Sequence, residues 1–505
     1  MSRNTIHFKA HVNQSLANGI YPPLASNLKS TMGIDTPSQL QRNFIPPILD
    51  GTDVLIRDTT GSGKTFGILL SLLSKPRTKS ASSGSLGITS VLVVPNQELA
   101  FQLVSWTRSL FPNATQQQLD EMIQAIYTES SPHSPTHARE STKSKRTTSK
   151  HDRQPFTPLG KDTQVEKLAN TLPHVLVTTP VRLWSLIERG VLDLSGIETL
   201  VLDEVDHLIR LPKRFASQRQ IFNRDLHPKP AELAVREIIR SAKAAGRYGA
   251  QEAASKSDRI QIVAASATMN RPIRHWLERN DWIQDPEWVD TTKSVVLPEG
   301  IEHHCLVVGP DSIRNMKLEG DYKHATEDVG EVDWADKDKS WKEQRLSPSE
   351  ETTKFRDDDD RMLEGVATAC MLDEIQTACV FFCSSPSLND VATRLQGDFG
   401  LSAKLLEDAF HANQGSTQEL IRRKGVYLAH ESNARGLDLP GLSHVFIVGM
   451  PSTPSSYLHM AGRTGRMGKK GSVLTIIRDE GNLEARARSL FNTLNVQIQP
   501  YSHVE

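Results

Sequence analysis

Asp53-Val54-Leu55-Ile56-Arg57-Asp58-Thr59-Thr60-Gly61-Ser62-Gly63-Lys64-Thr65 is an apolar strand that breaks into a glycine-punctuated loop, ends in Lys-Thr and runs on into an apolar helix over Phe66 to Leu73. Strand, loop and helix in that order read as a phosphate cradle. Gly61 and Gly63 accept the positive backbone dihedrals that turn successive N–H groups inward, and Lys64 offers a point charge to the outer phosphates of a nucleotide. Thr65 would place a hydroxyl on a magnesium ion, and the N-terminal dipole of the helix faces the same anion.

Strands of the same kind recur. Val91-Leu92-Val93-Val94, Val175-Leu176-Val177, Leu200-Val201-Leu202 and Ile260-Gln261-Ile262-Val263-Ala264 follow, separated by helical stretches, with a short helix over Leu24 to Met32 upstream. The pattern restarts after Pro298 with Cys305-Leu306-Val307-Val308, Ala378-Cys379-Val380-Phe381-Phe382, Val426-Tyr427-Leu428-Ala429, Val445-Phe446-Ile447-Val448 and Val473-Leu474-Thr475-Ile476-Ile477. Short continuous apolar runs between helices are what a parallel sheet covered on both faces requires. The expected fold is α/β: two tandem domains, each a mainly parallel sheet with helices on both faces, joined near Thr291 to Glu299. This gives an N-terminal extension over 1–19, a first domain over 20–292 and a second over 293–505.

Three stretches interrupt the alternation. Residues 130–161 are rich in Ser, Thr, Pro, Lys and Arg (Lys143, Lys145, Arg146, Lys150, Arg153), the composition of a basic loop that either touches RNA phosphates or is merely solvated. Residues 215–258 read as a helical elaboration of the first domain's surface, strongest over Glu232 to Ala245. Residues 311–360 are acidic, end in Asp357-Asp358-Asp359-Asp360 and read as a disordered, solubilising loop.

A chain of 505 residues, 37% hydrophobic and with a formal net charge of −1, has material for two cores and no charge-based reason to seek a polyanion. Any nucleic-acid surface must therefore be a local arrangement of Lys and Arg. Cys305, Cys370, Cys379 and Cys383 form no Cys-x-x-Cys pair and read as buried free thiols of a reducing compartment. No apolar run approaches bilayer-spanning length and no secretory h-region opens the chain, so a soluble protein is expected. The first acid is Asp35, preceded by Ser2, Arg3, Lys9, Ser15 and Ser26, a composition similar to an organelle transit peptide. Mitochondrial and cytoplasmic or nuclear locations both stay open.

A second chemical signal follows Leu200-Val201-Leu202, where Asp203, Glu204 and Asp206 stand. Open α/β sheets bind ligands at the carboxyl ends of their strands, so these acids face the phosphate loop. Asp203 would hold magnesium there with Thr65, and Glu204 would polarise the water that attacks the γ-phosphate.

Together with the rest of the chain, these residues resemble the DEAD-box RNA helicases. Gly33 to Pro46 is similar to their Q motif, Asp58 to Thr65 to motif I, Pro95-Asn96-Gln97-Glu98-Leu99-Ala100 to motif Ia, Thr179-Pro180-Val181-Arg182 to motif Ib, Asp203 to Asp206 to motif II and Ser266-Ala267-Thr268 to motif III. Ala434-Arg435-Gly436-Leu437-Asp438 resembles motif V, and His459-Met460-Ala461-Gly462-Arg463-Thr464-Gly465-Arg466 resembles motif VI. The resemblance implies two RecA-like domains, ATP and Mg2+ at their cleft, RNA gripped by its backbone without sequence readout, and a monomer. It assigns the adenine edge to Gln41 and the phosphates to Asp58, Thr59, Thr60, Gly61, Ser62, Gly63, Lys64 and Thr65. Gly436 also falls to the nucleotide, and Asp438 to its ribose. The catalytic set becomes Lys64, Asp203, Glu204, Arg463 and Arg466, with Arg466 as arginine finger. Ser266 and Thr268 become a hydroxyl link from Asp206 to His459, and Pro95, Asn96, Gln97, Thr179, Pro180, Arg182 and Arg435 fall to RNA.

The chain departs from the family's usual pattern at several of these places. Asn96-Gln97 stand for Thr-Arg, Val181 for Gly, His430-Glu431 for the Thr-Asp before motif V, Met460 for the first Arg of motif VI, Asp58 for Ala and Val205 for Ala. The first four of these are expected to weaken phosphate contacts or coupling by small increments that sum. The aromatic that clamps adenine in the family is unsettled among positions near Leu16, Phe8 and Tyr21. The expected activity is that of an ATP-dependent RNA helicase or RNA-remodelling ATPase. The alternatives are an ATP-gated RNA clamp or ribosome-assembly scaffold, and a DNA-directed motor, which Gln41 and Ser266-Ala267-Thr268 disfavour. The entry into the second domain, Leu297-Pro298 to His303-His304, is similar to that of fungal mitochondrial helicases of ribosome assembly.

Overall fold

The computed structural model describes residues 19–79, 84, 86–127, 163–211, 216–244, 259–291, 300–317, 358–412, 424–436, 439, 441–466 and 469–504. They form two seven-stranded sheets. The first contains β1 (Val54–Arg57), β2 (Ser90–Val93), β3 (Ile123–Ile126), β4 (Val175–Thr178), β5 (Thr199–Asp203), β6 (Gln261–Ser266) and β7 (Glu287–Asp290), all parallel, in the order β3-β4-β2-β5-β6-β1-β7. The second contains β8 (Ile301–Val308), β9 (Ile313–Asn315), β10 (Thr377–Phe382), β11 (Ala403–Leu405), β12 (Gly425–His430), β13 (His444–Val448) and β14 (Gly471–Arg478). Their order is β11-β12-β10-β13-β14-β8-β9, parallel except for the β8/β9 pair.

Side-chain alternation explains why both faces are covered. Leu55, Val91, Val93, Leu200, Leu202 and Ile262 enter one core, while Val54, Ile56, Leu92, Val201 and Val263 enter another on the opposite face. The second sheet divides in the same way, Val307, Phe381 and Val445 against Leu306, Val380 and Phe446. Cys305, Cys370 and Cys379 are buried in these cores, and burial pushes all three thiols up, Cys370 to about 12. Four short strands were not legible as apolar runs. β3, β7, β9 and β11 lie at the sheet edges, where one side has no neighbour and a strand needs fewer buried residues.

Two of the three interruptions differ from expectation. The helix Pro230–Ala244 is part of the first core, since Ala231, Ala234, Val235, Ile238, Ile239 and Ala242 are buried along one face against the helix Pro180–Glu188. Only the preceding helix, Gln218–Leu226, buries none of its residues. The acidic stretch begins with β9 and ends in structure as well. Asp359 caps the helix Asp360–Leu372, and Asp358, 3% exposed, faces Arg394 at 3.6 Å. Residues 318–357 and the basic stretch 130–161 lie outside the described residues. No helix of the described residues is long and apolar enough to cross a membrane.

The strand that carries the phosphate loop is fixed at its start by a buried charge. Asp53 accepts from the backbone N–H groups of Ile262 and Gln284, each at 2.7 Å, and from Arg259 Nη1 at 2.7 Å. One carboxylate thus clips β1 to β6 and to the chain entering β7. Replacing Arg259 by Met strands that charge and is expected to cost ~3–5 kcal/mol of folding stability. Urea unfolding with an unchanged slope and a lower midpoint is the readout.

Candidate functional site

Register brings the motif residues to one edge. Ile56 is level with Ala265, Ala265 with Asp203, Leu202 with Val93 and Val93 with Thr178. The segments starting at Asp58, Pro95, Thr179, Asp203 and Ser266 therefore leave the sheet along a single rim, the ligand edge of an open α/β sheet.

The loop has the shape expected of it. Gly61 and Gly63 take φ of 81° and 86°, where a side chain would be strained, and Gly63 precedes the helix Lys64–Ser74. Lys64 Nζ donates to the carbonyls of Asp58 (2.9 Å) and Thr59 (2.6 Å), and burial lowers its pKa. Gln41 belongs to a capping box with Ser38, its Oε1 accepting from Ser38 N at 3.0 Å, and its Nε2 donates to Gly63 O at 3.1 Å. Both ends of that amide tie the upstream helix to the phosphate loop.

Asp58 is also engaged. One carboxylate oxygen accepts from Thr59 N at 2.6 Å and the other from Thr291 Oγ1 at 2.7 Å, just beyond β7. Its neighbour Arg57 faces Asp290 at 3.5 Å, so the loop is moored to the end of the first domain's last strand. Sequence reasoning missed Thr291, which carries no motif. Tyr21, the one of these aromatic candidates within the described residues, is half exposed, and its backbone N–H donates to Ser74 Oγ, at the far end of a helix whose other end holds Lys64, about 15 Å along the axis. Phe8 and Leu16, like Asp438, lie outside the described residues.

Thr65 Oγ1 donates to Asp203 Oδ2 at 2.7 Å, bringing together the hydroxyl and carboxylate expected to hold magnesium. Glu204 stands next to them in the left-handed region, with φ of 54°, and its N–H donates to Asp203 Oδ1 at 3.1 Å. Among the described residues its Oε2 is buried without a hydrogen-bond partner, 3.9 Å from His459 Nε2. Burial, then the charges of Asp206 and Asp203, raise the Glu204 carboxyl to about 7. A hydroxyl, a carboxylate and an orphaned carboxylate oxygen beside a phosphate loop form an oxygen donor set that fits Mg2+ with its waters.

Asp206 accepts from Ser266 Oγ and Thr268 Oγ1, each at 2.6 Å. The expected hydroxyl link onward to His459 is not how the two domains meet. Arg435 makes that link, its Nη1 donating to Asp206 Oδ2 at 3.4 Å and meeting His459 Nε2 at 2.7 Å. Arg435 can only donate, so His459 Nε2 is an acceptor and the ring is neutral; burial and then Arg435 hold its pKa well below the ordinary value. Asp206 is pulled the other way, its burial outweighed by Arg435 and the two hydroxyls, and its carboxyl is lowered.

The second domain lies directly on the loop. A Cβ on Gly462 would stand 2.2 Å from Thr60 Oγ1, and one on Gly61 would stand 3.3 Å from Arg466 Nε. Arg463 and Arg466 donate from Nε to the carbonyls of His459 (2.8 Å) and Gly462 (3.0 Å), which fixes both side chains on their own turn.

The residues expected to bind RNA divide in two. Pro95, Thr179, Pro180 and Arg182 stay half-buried along the rim, and Val181 exposes 60% of its surface on the first turn of its helix. Asn96, Gln97, Arg435 and Gly436 instead face the other domain. The remaining departures are structural: Val205 and Met460 are fully buried in core, and Glu431 accepts from Ser452 N at 3.1 Å.

Residues 38–276 match the family model of DEAD/DEAH box helicases, and residues 405–468 match that of the helicase conserved C-terminal domain. The DEAD-box ATP-dependent RNA helicase CshA of Bacillus cereus is 24% identical over 472 residues, 92% of this chain but 66% of that protein. Two solved structures share the fold. S. cerevisiae Dbp5 bound to RNA and ADP BeF3 superposes with a TM-score of 0.59 at 16% identity, covering 95% of this chain and 94% of that one. Mss116p bound to ssRNA and AMP-PNP gives 0.60 at 17% identity, covering 96% and 77%. Both sheets are thus RecA-like domains in tandem.

Proposed function

The chain belongs to the DEAD/DEAH box helicase family, and we propose that it is an ATP-dependent RNA helicase or RNA-remodelling ATPase that binds ATP and RNA across its cleft. The observation that carries this reading is the placement of Arg466 over Gly61, because it makes the phosphate site a product of both domains. In this mechanism Lys64 leaves the loop carbonyls to pair with the outer phosphates, and Gln41 holds the loop in register. Thr65 and Asp203 would hold magnesium, which screens the phosphate charge when bound. Glu204, at the edge of that pair, positions the attacking water and takes up its proton. Arg466 neutralises charge that shifts to the leaving oxygen. Arg435, seated between Asp206 and His459, ties the state of the nucleotide to the distance between the domains.

RNA is held by its backbone, and the released strand of a short duplex is the product. ATP hydrolysis with and without single-stranded RNA, and unwinding of a short RNA duplex, measured on one preparation, test this. RNA-stimulated hydrolysis with unwinding is expected; hydrolysis stimulated equally by DNA of matched sequence would overturn it. The second reading, an ATP-gated clamp or assembly scaffold, is favoured by the loss of Asn96 and Gln97 to the interdomain contact, and predicts RNA binding without unwinding or efficient hydrolysis. A role in ribosome assembly is proposed on the entry into the second domain, Leu297-Pro298 to His303-His304, with mitochondrial and cytoplasmic or nuclear locations as the alternatives. Crosslinking and sequencing of RNA bound in cells tests both.

A further inference from the structure

Four consecutive residues at the start of the helix Gln97–Leu110 touch the second domain. Asn96 uses its Oδ1 to cap the helix, accepting from Leu99 N at 3.0 Å, and spends its Nδ2 on the carbonyl of Arg435 at 2.8 Å. Gln97 Nε2 donates to Glu407. Glu98, 2% exposed, accepts from Asn433 Nδ2 at 2.8 Å. Leu99 packs on Gly436 so closely that a Cβ there would lie 2.4 Å from Leu99 Cδ2, and Gly436 has φ of 72°. Polar groups that would otherwise be free for phosphates on the rim are used between the domains, and none of the three hydrogen bonds involves a residue of the phosphate loop or the acids Asp203 and Glu204.

We propose that this first turn is an interdomain clasp that lets the two domains close on ATP in the absence of RNA, so that nucleotide alone triggers closure. The inference rests on the reading of the chain as a nucleotide-driven two-domain ATPase. Three hydrogen bonds and an apolar contact join the domains away from the phosphate loop, and they form together because they lie on one helical turn. A Thr at 96 would keep the cap and lose the donor to Arg435. Gln97 satisfies Glu407 through its amide without adding a charge that RNA phosphates would compete for.

The test is closure of the full chain, read by energy transfer between fluorophores placed one on each domain, with AMP-PNP alone and with AMP-PNP plus a single-stranded RNA. The parent chain is expected to close with nucleotide alone. Asn96→Ser with Glu407→Ala, which keeps the helix cap and leaves both cores untouched, is expected to shift RNA-free closure at least about tenfold toward open and to leave closure with RNA within about threefold. Glu407→Ala by itself, on a half-buried side chain, repeats the test with less risk to folding. A parent that closes only when RNA is present, or variants that close on nucleotide as the parent does, would overturn the clasp. Parallel RNA-stimulated ATPase measurements separate that failure from failure of the functional reading, which would appear as no hydrolysis under any condition.

Discussion

Replacing Glu204 by Gln is expected to lower ATP turnover by ~10²–10⁴-fold while ATP and RNA affinities stay within about threefold. The amide keeps the size and the hydrogen-bonding reach of the acid but cannot take a proton from water. Position matters as much as basicity. Glu204 is held in a left-handed backbone conformation, with its N–H on Asp203, so its side chain follows the carboxylate expected to hold magnesium. Among the described residues its buried Oε2 makes no hydrogen bond, so the substitution removes none from that oxygen. Removing a buried charge beside Asp203 and Asp206 also relieves repulsion, and thermal stability is expected to be equal or higher. A variant of normal stability that still hydrolyses ATP at the parental RNA-stimulated rate would remove Glu204 from the catalytic role.

The nucleotide half of this site was legible because its chemistry is local. A loop that needs positive φ announces itself through glycine, and an acid pair at a strand end announces itself through the apolar run before it. Register then forces the two together, which is why Thr65 and Asp203 meet across 138 positions without any long-range guess. The contacts between domains were not legible in this way. Asn96 was expected at RNA; it caps its own helix, and its second hydrogen bond is to a backbone carbonyl 339 residues away. Gln97 and Glu407, or Asp58 and Thr291, carry no periodic or turn signal that could pair them. The same limit applied to Arg435. As a motif residue on the second domain it was expected to reach RNA, and only the packed cleft shows it between Asp206 and His459. Burial misled in the opposite sense at Met460 and Pro230–Ala244, where a departure from pattern and an apparent surface insertion both turned out to be core.

Replacing Arg466 by Lys is expected to lower kcat about 10³-fold with a change of only a few-fold in the affinity for ATP. In the closed arrangement the guanidinium lies over Gly61, with Nε, Cζ and Nη2 at 3.3, 3.4 and 3.7 Å from the place a Cβ would occupy there. Its Nε is anchored on Gly462 O, so the fork is presented to the loop in one orientation. A Lys has the charge but neither the anchor nor the planar fork, and its ammonium would follow the phosphates as a mobile point charge. Ground-state attraction to ATP therefore largely survives while stabilisation of the shifting charge is lost, which places the effect in kcat and not in KM. Arg466 acts only when the domains close, so the variant should lose turnover with and without RNA alike. Combined with Glu204→Gln, it should slow turnover little beyond Glu204→Gln alone, since a finger has nothing to stabilise once water is not activated. Parental hydrolysis by Arg466→Lys at saturating ATP and RNA would pass the role of finger to Arg463.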